Sequence, residues 1–474
     1  MSVGNTGTDS VAGQETGGAA GDVTAPVFSA GAVPSTPADG ADHVGSRLNA
    51  GRASTQAGES ERQLVDERVT PTGEAAGVQS SRPSDIVIIA AARTPQGKLN
   101  GQLSTLTAPQ LGAAAISGAL LQASIDASLV DAVLIGHVLS AGVGQNAGRQ
   151  ATLAAGIPAS AHVASINKVC LSGLTAVIDA ARLLKTGDAQ LVVAAGMESM
   201  SQAPHLLAGS RKGWAYGSVE ALDHMAHDGL TDAASGQSMG SLTEQHNTSL
   251  GITREAQDAV AARSHQRAAA AADAGLFDAE IVAVDVPVRR SDPVRVTRDE
   301  GIRPSTTAES LAGLRAAFAA DGTITAGNAS PISDGASAVV LTSRAFADAH
   351  GYDVLAVVGA AGQVAGPDAS LQSQPSRAIA RACEKQGIAA STLDHIEINE
   401  AFAAVVVQSQ AELGVSDEVV NPHGGAIALG HPIGASGARV VVHAVHELAR
   451  RGGGTAAVAL CGGGGQGDAL ILTR

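Results

Sequence analysis

The stretch CLSGLTAVIDAARLLKTGDAQLVVAAGMES, residues 170–199, decides the fold. A glycine-containing helical segment follows Cys170, and an apolar strand segment and a polar turn come after the helix. The stretch HPIGASGARVVVHAVHELARRGGGTAAVALCGGGG, residues 431–465, repeats that order after His431 and ends in a glycine-rich turn. This weak internal repeat predicts a duplicated α/β unit that places Cys170 and His431 near one pseudo-twofold axis.

Strand and helix signals alternate on the N-terminal side of this repeat. Residues 86–91 form a short apolar, β-branched run that predicts a buried strand, and residues 133–138 predict a second one. Between them, apolar residues recur at helical spacing, namely Leu111, Ala115, Ile116 and Leu120. The alternation indicates an α/β fold with a mostly parallel sheet.

Composition divides the chain into a tail and an ordered part. The first 83 residues contain no isoleucine, two leucines and one aromatic residue, which is too little apolar surface to offset chain entropy. We therefore expect residues 1–83 to be a disordered extension without a catalytic role. Residues 84–350 and 351–474 are the predicted N-terminal and C-terminal halves. The charged segment at about 201–320 is expected to be an irregular loop domain inserted in the first half.

The overall composition argues against several classes of protein. The 474 residues include 30 basic and 45 acidic ones, and this net charge of −15 argues against nucleic-acid binding and against attraction to anionic membranes. The longest uncharged stretch, 99–125, is interrupted by polar side chains, so no membrane span is expected. Three cysteines cannot form a disulfide framework in a chain of this length, so they indicate reduced thiols in the cytoplasm. The N-terminus shows no secretory signal.

Two residues of the repeat are candidates for chemistry. Cys170, in NKVCLSGL, lies where a polar stretch gives way to a helix, whose dipole favours the thiolate form of a nucleophile. A small buried core cysteine is the alternative. His431 is surrounded by Gly430, Pro432 and Gly434, and this rigid turn favours a positioned base. Phosphate binding is disfavoured, since neither GxGxxG nor a phosphate-binding lysine is present, and a structural turn histidine is the alternative.

The remaining candidates lie in the second half. Cys461, in ALCGGGGQG, follows an apolar strand and precedes four glycines, whose backbone can approach another group closely and present N–H donors. Cys383, four residues after Ile379 on a predicted helix, is assigned to the core. Asn399 begins the apolar run after HIEI, either as a helix N-cap or as a buried site residue. His423, in NPHGG, is either a site residue or a turn residue.

Seven segments taken together resemble the thiolase family in order and spacing. They are IAAARTPQGK at 89–98, NKVCLSG at 167–173, GMESMS at 196–201, ITAGNASPISDGA at 324–336, NEAFA at 399–403, GGAIALGHPIGASGAR at 424–439 and CGGGGQG at 461–467. The resemblance covers residues 84–474 and rests on independent motifs in one order. It implies two duplicated βαβαβαββ halves stacked as α/β/α/β/α layers, with a loop domain inserted in the first half.

The resemblance also implies a role for each reactive residue. Cys170 is expected to take the acyl group from an acyl-CoA, His431 to remove the thiol proton, and Cys461 to act as acid and base on the second acetyl-CoA. Asn399 is expected to hold a water that forms one oxyanion hole with His431, and the N–H groups of Cys170 and Gly463 the other. The chemistry agrees, because joining two acyl units at carbon needs a covalent acyl carrier and preorganised donors for an enolate.

No metal and no cofactor are expected for this reaction. Coenzyme A thioesters are the substrates, and no metal-ligand spacing such as CxxC or HExxH is present. The family positions along the CoA groove are Leu230, Met239, Arg303, Ser310, Ser330 and Phe402. Arg303 is expected to stack on the adenine, and Met239 and Phe402 to line the thioester end, with ordinary loop packing as the alternative.

Two positions depart from the family pattern. Ser238 stands where biosynthetic acetoacetyl-CoA enzymes carry a histidine, and His423 replaces the usual asparagine. The expected activity is the interconversion of two acetyl-CoA with acetoacetyl-CoA plus CoA. A 3-ketoacyl-CoA thiolase acting on longer chains in fatty-acid β-oxidation is the alternative. Residues 223–239, which are expected to close the acyl pocket, would distinguish the two.

Other classes fit the sequence less well. A ketoacyl synthase would carry a second histidine where Asn399 stands, and an inactive scaffold would lack Cys170, His431 or Cys461. A nucleotide-binding dehydrogenase would need GxGxxG after the first strand, which is absent. Family members are commonly dimers or tetramers, so a homodimer or homotetramer is expected by resemblance.

Overall fold

The computed structural model describes residues 82–474, so the extension predicted for 1–83 lies outside the described residues apart from its last two. At the start of the described residues, the backbone N–H and the guanidinium of Arg82 both donate hydrogen bonds to the carboxylate of Asp85. Among residues 82–474, no helix combines the length and the apolar composition that a bilayer crossing requires.

The first half contains the predicted strands at 86–91 and 133–138 and the predicted helix between them. Its elements are, in order, β1 (Ile86–Arg93), β2 (Gly97–Lys98), α1 (Ala108–Gln122), β3 (Ala132–Gly136), α2 (Ala147–Ala154), β4 (His162–Ile166), α3 (Ser172–Thr186) and β5 (Leu191–Ser199). A capping box between Thr107 and Gln110 begins α1, and Gly187, with φ 82°, ends α3.

The region expected to be an irregular insertion contains more helix than its sequence pattern indicated. The elements that follow β5 are β6 (His205–Leu206), β7 (Leu222–Asp223), α4 (Met239–Leu250), α5 (Arg254–Asp273), β8 (Val284–Val286), β9 (Val294–Val296), α6 (Ala308–Ala312), β10 (Ser333–Ser343) and α7 (Arg344–His350). The alanine-rich α5 has 20 residues. Its composition favours a helix by intrinsic propensity. Its apolar residues do not recur clearly at helical spacing, so the periodicity of the sequence did not indicate a helix here.

The second half repeats the core of the first without the long insertion and with a reduced edge strand. Its elements are β11 (Ala356–Ala365), α8 (Gln374–Gln386), β12 (His395–Ile398), α9 (Ala403–Leu413), α10 (Ala426–Leu429), α11 (Ser436–Arg451), β13 (Thr455–Gly462) and β14 (Gln466–Thr473). The strand that would follow α9 is reduced to an isolated bridge between Ile396 and Val420. As predicted, α8 carries Cys383 into the core.

The ten-stranded sheet is mixed, so the expectation of a mostly parallel sheet is wrong. The strand order is β12-β13-β14-β11-β1-β10-β5-β3-β4, with β2 beside β10. Neighbours are parallel at β12/β13, β3/β4 and β3/β5 and antiparallel at the other pairings. The last sheet strand of each half is not preceded by a crossover helix. Strand β14 follows β13 through a short turn, and β10 follows the inserted region. Such strands run antiparallel to their neighbours.

Two helices lie between the two halves of the sheet. The halves are joined only where β1 meets β11, over two residue pairs, and α3 and α11 fill the space between them. Alternate strand residues face opposite layers: Val193 and Ala195 pack toward α1 and α2, whereas Val192 and Ala194 pack toward α3 and α11. Because α8 and α9 cover the far side of β13, the layers are α/β/α/β/α, which confirms the predicted fold.

The two central helices cross at glycines near their N-termini. A Cβ on Gly173 would lie 2.8 Å from the backbone nitrogen of Ala438, and a Cβ on Gly437 would lie 2.1 Å from that of Leu174. Each glycine follows the serine that begins its helix, which is the internal symmetry that the repeat predicts. The close approach of the two backbones brings the turn before α3 to the turn before α11.

Candidate active site

Cys170 lies in a strained turn immediately before α3. Val169 has a φ of 51°, a left-handed conformation that is costly for a β-branched residue. Ser172, the first residue of α3, holds this turn: its hydroxyl donates to the carbonyl of Val169 at 2.6 Å and accepts from the N–H of Lys168 at 2.8 Å. The strain is therefore maintained by specific hydrogen bonds, and it presents the thiol of Cys170 to an internal cavity.

His431 occupies the corresponding turn before α11. Its backbone N–H donates to the hydroxyl of Ser333 at 3.1 Å, and its ring Nδ1 lies 2.6 Å from the hydroxyl of Ser436. The single hydroxyl proton of Ser436 is donated to the carbonyl of Pro432 at 3.0 Å. The ring Nδ1 must therefore donate to Ser436, which leaves Nε2 unprotonated and able to accept a proton.

Asn399 lies beside this imidazole. Its amide Nδ2 is 3.4 Å from Nδ1 and 3.5 Å from Nε2 of His431, and its buried Oδ1 has no partner within the protein. The interpretation of Asn399 as a helix N-cap is wrong, because α9 begins at Ala403 and Phe402 is its N-cap residue. A buried amide oxygen without a partner is suited to binding a water or a substrate atom.

Cys461 and Gly463 come from the end of β13 and the turn that follows it. The backbone N–H of Gly463 and that of Cys170 itself act on the Cys170 thiol and favour a lower pKa. Cys461 is completely buried and lines the same cavity as Cys170, and the charge of a Cys170 thiolate would raise the pKa of the Cys461 thiol. The end of β13 and the glycine-rich turn after it thus bring a second thiol and the N–H of Gly463 to Cys170.

Burial sets the protonation states of these groups. Burial raises the pKa of the Cys170 thiol to about 12, although the two N–H donors oppose this shift. Burial, with the neighbouring Cys170, also raises the pKa of Cys461. Burial, with the charge of Arg439, lowers the pKa of His431 to about 3. These shifts favour neutral thiols and a neutral imidazole in the resting protein, which is opposite to the thiolate that the helix dipole was expected to favour at Cys170.

An apolar cavity of about 590 Å³ brings most of the predicted residues together. The sequence-predicted residues that line it are Cys170, His431, Cys461, Gly463, Leu230, Met239, Ser330 and Phe402. Phe318, which the sequence did not single out, contacts Phe402 edge-on at a centroid distance of 6.3 Å. The segment 223–239 contributes six lining residues, namely Ala226, Gly229, Leu230, Thr231, Ser238 and Met239.

Four residues that the sequence analysis considered do not line this cavity. Asn399 reaches it only through His431. Arg303 is exposed and contacts His265, with a ring nitrogen 3.3 Å from its guanidinium. Ser310 is exposed and belongs to the capping box that begins α6. His423 is a partly buried residue of the turn after α9, and its Nδ1 lies 3.1 Å from Nε2 of His443.

A buried carboxylate that the sequence did not single out, that of Glu198, connects two loops of the site. Glu198, at the end of β5, accepts hydrogen bonds from the N–H groups of Val138, Leu139 and Gly434 at 2.9–3.1 Å. Burial raises its pKa to about 7. Glu198 thereby ties the loop after β3 to the turn that follows His431. It lies within the motif GMESMS, but nothing in that motif indicated which backbone groups would meet it.

Comparison with known proteins gives a consistent result over the described residues. The family model "Thiolase, N-terminal domain" matches residues 86–345, and "Thiolase, C-terminal domain" matches residues 352–474. A probable acetyl-CoA acetyltransferase of Mycolicibacterium smegmatis is 56% identical over 388 residues, which are 82% of this chain and 100% of that protein. The acetyl-CoA acetyltransferase of Pseudomonas aeruginosa is 46% identical over 390 residues, which are 82% and 99%.

Solved structures agree with these matches. The crystal structure of human mitochondrial 3-ketoacyl-CoA thiolase aligns with a TM-score of 0.79 at 35% identity, covering 83% of this chain and 99% of that one. The acetyl-CoA acetyltransferase of Bacillus anthracis aligns with a TM-score of 0.80 at 37% identity, covering 82% and 98%.

Proposed function

The chain belongs to the thiolase family, and on that premise we infer that it is an acyltransferase that interconverts two acetyl-CoA with acetoacetyl-CoA plus CoA. Relatives that are 46% and 56% identical carry the name acetyl-CoA acetyltransferase. The observation that carries the proposal is that Cys170, Cys461 and His431 open on one apolar cavity. Two thiols and one neutral imidazole are the groups that a condensation through an acyl-enzyme requires.

In the first half-reaction, Cys170 attacks the thioester carbonyl of acetyl-CoA. Its raised pKa means that the thiol cannot act without a base, and the unprotonated Nε2 of His431 accepts its proton. The tetrahedral intermediate expels CoA as a thiol, which takes the proton back from His431. An acetyl group then remains on Cys170.

In the second half-reaction, Cys461 removes a proton from the methyl carbon of a second acetyl-CoA. The resulting carbanion attacks the acetyl group on Cys170, and acetoacetyl-CoA forms as the Cys170 sulfur leaves. Cys461 is neutral at rest, so it becomes a base only after passing its proton to the unprotonated Nε2 of His431, which lines the same cavity. The Cys170 sulfur, which leaves as a thiolate, then takes that proton from His431 and restores the resting state. In thiolysis the same groups act in reverse.

Two sets of donors stabilise the negative charge that develops on oxygen. We propose that the N–H groups of Cys170 and Gly463, both of which favour negative charge at the Cys170 sulfur, bind the oxyanion of an acyl group attached there. For the second thioester we propose His431 together with a water held by Asn399, whose Oδ1 is buried without a partner. Fixed donors of this kind need no reorganisation as the charge develops.

The substrate contacts follow from the same cavity. We propose that Leu230, Met239, Ser330 and Phe402 line the path of the acyl-pantetheine chain, and that Arg303 and Ser310, which are exposed, contact the outer part of CoA. Coenzyme A thioesters are then the only small molecules that the reaction needs, without a cofactor. A cytoplasmic location is proposed because the mechanism requires two reduced thiols.

A homodimer or homotetramer is proposed as the assembled state. The edge strand β4 carries side chains that are exposed or only partly buried, and the loop between β6 and β7 exposes Leu207, Trp214 and Tyr216. Exposed apolar groups of this size are typical of surfaces that another chain covers. Size-exclusion chromatography with light scattering would report the assembled mass, and a monomer at micromolar concentration would contradict this assignment.

Mass spectrometry after mixing the protein with acetyl-CoA tests the roles of the two cysteines. The wild-type chain should carry an acetyl group on Cys170. Cys170→Ala should form no adduct, whereas Cys461→Ala should acylate and then fail to condense. Cys383→Ala is the matched control, because that thiol lies in the core away from the cavity, and it should behave as the wild type. An acetyl adduct that persists on Cys170→Ala would overturn the assignment.

Chain-length preference is tested by thiolysis. Acetoacetyl-CoA should turn over faster than 3-ketoacyl-CoA substrates of eight or ten carbons, since Met239, Phe318 and Phe402 narrow the acyl end of the cavity. Faster turnover of the longer substrates would assign the protein to the 3-ketoacyl-CoA thiolases of fatty-acid β-oxidation instead.

A further inference from the structure

A buried group of metal-binding side chains lies behind the catalytic imidazole, between β12 and α11. His395 and Glu397 alternate with apolar residues on β12 and therefore share its inner face with Asn399. His443 faces them from α11. We propose that His395, Glu397 and His443 bind one divalent transition-metal ion of the Zn²⁺ type, which joins β12 to α11 and has no part in the chemistry of the thioester.

The distances between the donor atoms suit a single ion. Nε2 of His395 lies 3.2 Å from Oε1 of Glu397, and Nε2 of His443 lies 4.0 Å from the same oxygen. One donor atom from each of the three residues lies within 4.8 Å of the others. Two ligands at zinc-like bond lengths of about 2.1 Å in tetrahedral geometry are about 3.4 Å apart, so small side-chain movements complete the site.

Most of the atoms that would bind the ion lack a hydrogen bond; the exception is Nε2 of His443, which lies 3.1 Å from Nδ1 of His423. Both ring nitrogens of His395 and Oε1 of Glu397 are buried and form no hydrogen bond with the protein. His395 and Glu397 are fully buried, and the side chain of His443 is 2% exposed. Buried polar atoms without partners are rare and costly, and a bound ion would satisfy those of His395 and Glu397 at once.

Neighbouring side chains orient the ligands in the manner of a metal site. Nδ1 of His443 lies 2.9 Å from the carboxylate of Glu280, which fixes the ring and turns Nε2 toward Glu397. Carboxylate-to-histidine contacts of this kind are the usual support of metal-bound imidazoles. The partly buried His423, whose Nδ1 lies 3.1 Å from Nε2 of His443, is the nearest further donor and stands toward the solvent.

The charge around the cluster also favours a cation. The buried carboxylates of Glu280, Glu397 and Asp299 face only two buried guanidinium groups, those of Arg93 and Arg439. A proton on His443 would offset this excess of negative charge, but it would leave His395 and Oε1 of Glu397 without partners. A divalent ion offsets the charge and occupies those atoms together.

The ligand set indicates the type of ion. Two imidazoles and one carboxylate are donors that Zn²⁺, Co²⁺ and related ions accept, whereas Mg²⁺ and Ca²⁺ prefer oxygen ligands. The ligands come from residues 395, 397 and 443, so they show no compact sequence motif. For that reason the expectation of no metal, which rested on the absence of CxxC and HExxH, does not bear on this site.

The test compares the wild-type chain with His395→Leu and His446→Gln. His395→Leu removes a proposed ligand without breaking any hydrogen bond to its ring, so it should fold. His446→Gln is the matched control, because it removes a histidine from the same helix that bonds only to the carbonyl of Ala91. The proteins are loaded with ZnCl₂, free metal is removed, and bound zinc is measured by inductively coupled plasma mass spectrometry. Wild type and His446→Gln should hold about one Zn²⁺ per chain, and His395→Leu should hold none.

Two further measurements make the outcome decisive. The Co²⁺-loaded protein should show the visible absorption of a four-coordinate nitrogen and oxygen site, without the strong near-ultraviolet band of thiolate ligation, which would indicate binding at Cys170 and Cys461 instead. Zinc should raise the melting temperature of the wild type and not that of His395→Leu. Equal zinc contents in these two proteins, or a wild type without bound zinc, would overturn the proposal, and neither result would affect the proposed acyltransferase activity.

Discussion

The two central helices, α3 and α11, begin alike and are buried differently. Each starts with a Ser-Gly pair, and in each the serine hydroxyl fixes the turn that carries a reactive residue. On α3 the ionisable side chains, Asp179, Arg182 and Lys185, are partly or fully exposed. On α11 the side chains of Arg439, His443 and Glu447 are buried. The two helices thus share the arrangement of their first turns, but only α11 contributes buried charged side chains, which meet Arg93 and Glu280 of the first half in one network.

The largest expected effect comes from breaking that network. Arg439→Met leaves the buried carboxylate of Glu397 without the guanidinium that lies 3.2 Å away, and should lower the free energy of unfolding by about 3–5 kcal/mol. Denaturant unfolding measures this. Arg182→Met on α3 removes an exposed ion pair and should cost less than about 1 kcal/mol. Adding Glu397→Gln to Arg439→Met should restore part of the loss, and equal losses for the two arginine variants would erase the contrast between the helices.

A smaller effect is expected where the helices cross. A Cβ on Gly437 would lie 2.1 Å from the backbone nitrogen of Leu174, so Gly437→Ala forces the helices apart. We expect a loss of about 1–3 kcal/mol in unfolding free energy, together with slower acylation, because the two reactive turns separate. Gly313→Ala is the control, since a Cβ there meets nothing within 4 Å. Unchanged stability and acylation in Gly437→Ala would show that the crossing does not position the site.

The two serines should differ in what they control. Ser436→Ala removes the acceptor that fixes the tautomer of His431, and should slow acylation by about 10- to 100-fold, a part of what a general base contributes. Ser172→Ala disturbs the backbone turn of Cys170 and leaves the imidazole alone. Single-turnover acylation at several pH values separates them: only Ser436→Ala should alter the pH profile. A pH profile of acylation that changed in Ser172→Ala but not in Ser436→Ala would contradict this assignment of roles.

The smallest expected effect is a flat pH response. Burial, with the charge of Arg439, lowers the pKa of His431 to about 3, so the imidazole stays unprotonated, and able to accept a proton, well below its ordinary range. Acylation measured by rapid quench should therefore not fall between pH 7 and 5 through protonation of His431. The same shift lowers stability on acidification from about pH 6.5 toward 3, because the unfolded chain binds the proton that the folded one excludes. A tenfold fall in acylation by pH 5 would contradict this protonation state.

Local patterns predicted much of the architecture. The apolar run at 86–91 and the helical spacing of Leu111, Ala115, Ile116 and Leu120 were confirmed as β1 and α1. The polarity of the sheet was not predictable in the same way. A strand signal carries no direction, and β10 is separated from β5 by the whole inserted region, so only tertiary pairing reveals that it runs antiparallel.

The candidate site was also predicted only in part from the sequence. The motifs around Cys170, His431 and Cys461 identified the residues that line the cavity. They did not predict that both thiols would be neutral, since the helix-dipole argument considers one helix and burial depends on every layer around it. Glu198 was overlooked for a similar reason: its partners, Val138, Leu139 and Gly434, come from three separate parts of the chain.

The sequence by itself determined the duplicated α/β units, the core position of Cys383 and the residues that we propose carry the chemistry, because periodicity and turn composition are local properties of the chain. Only the tertiary structure decided the mixed sheet, the tautomer of His431, the protonation of the thiols and the meeting of His395 and Glu397 with His443. Those features depend on desolvation and on contacts between residues far apart in sequence, and both arise only when the layers pack together.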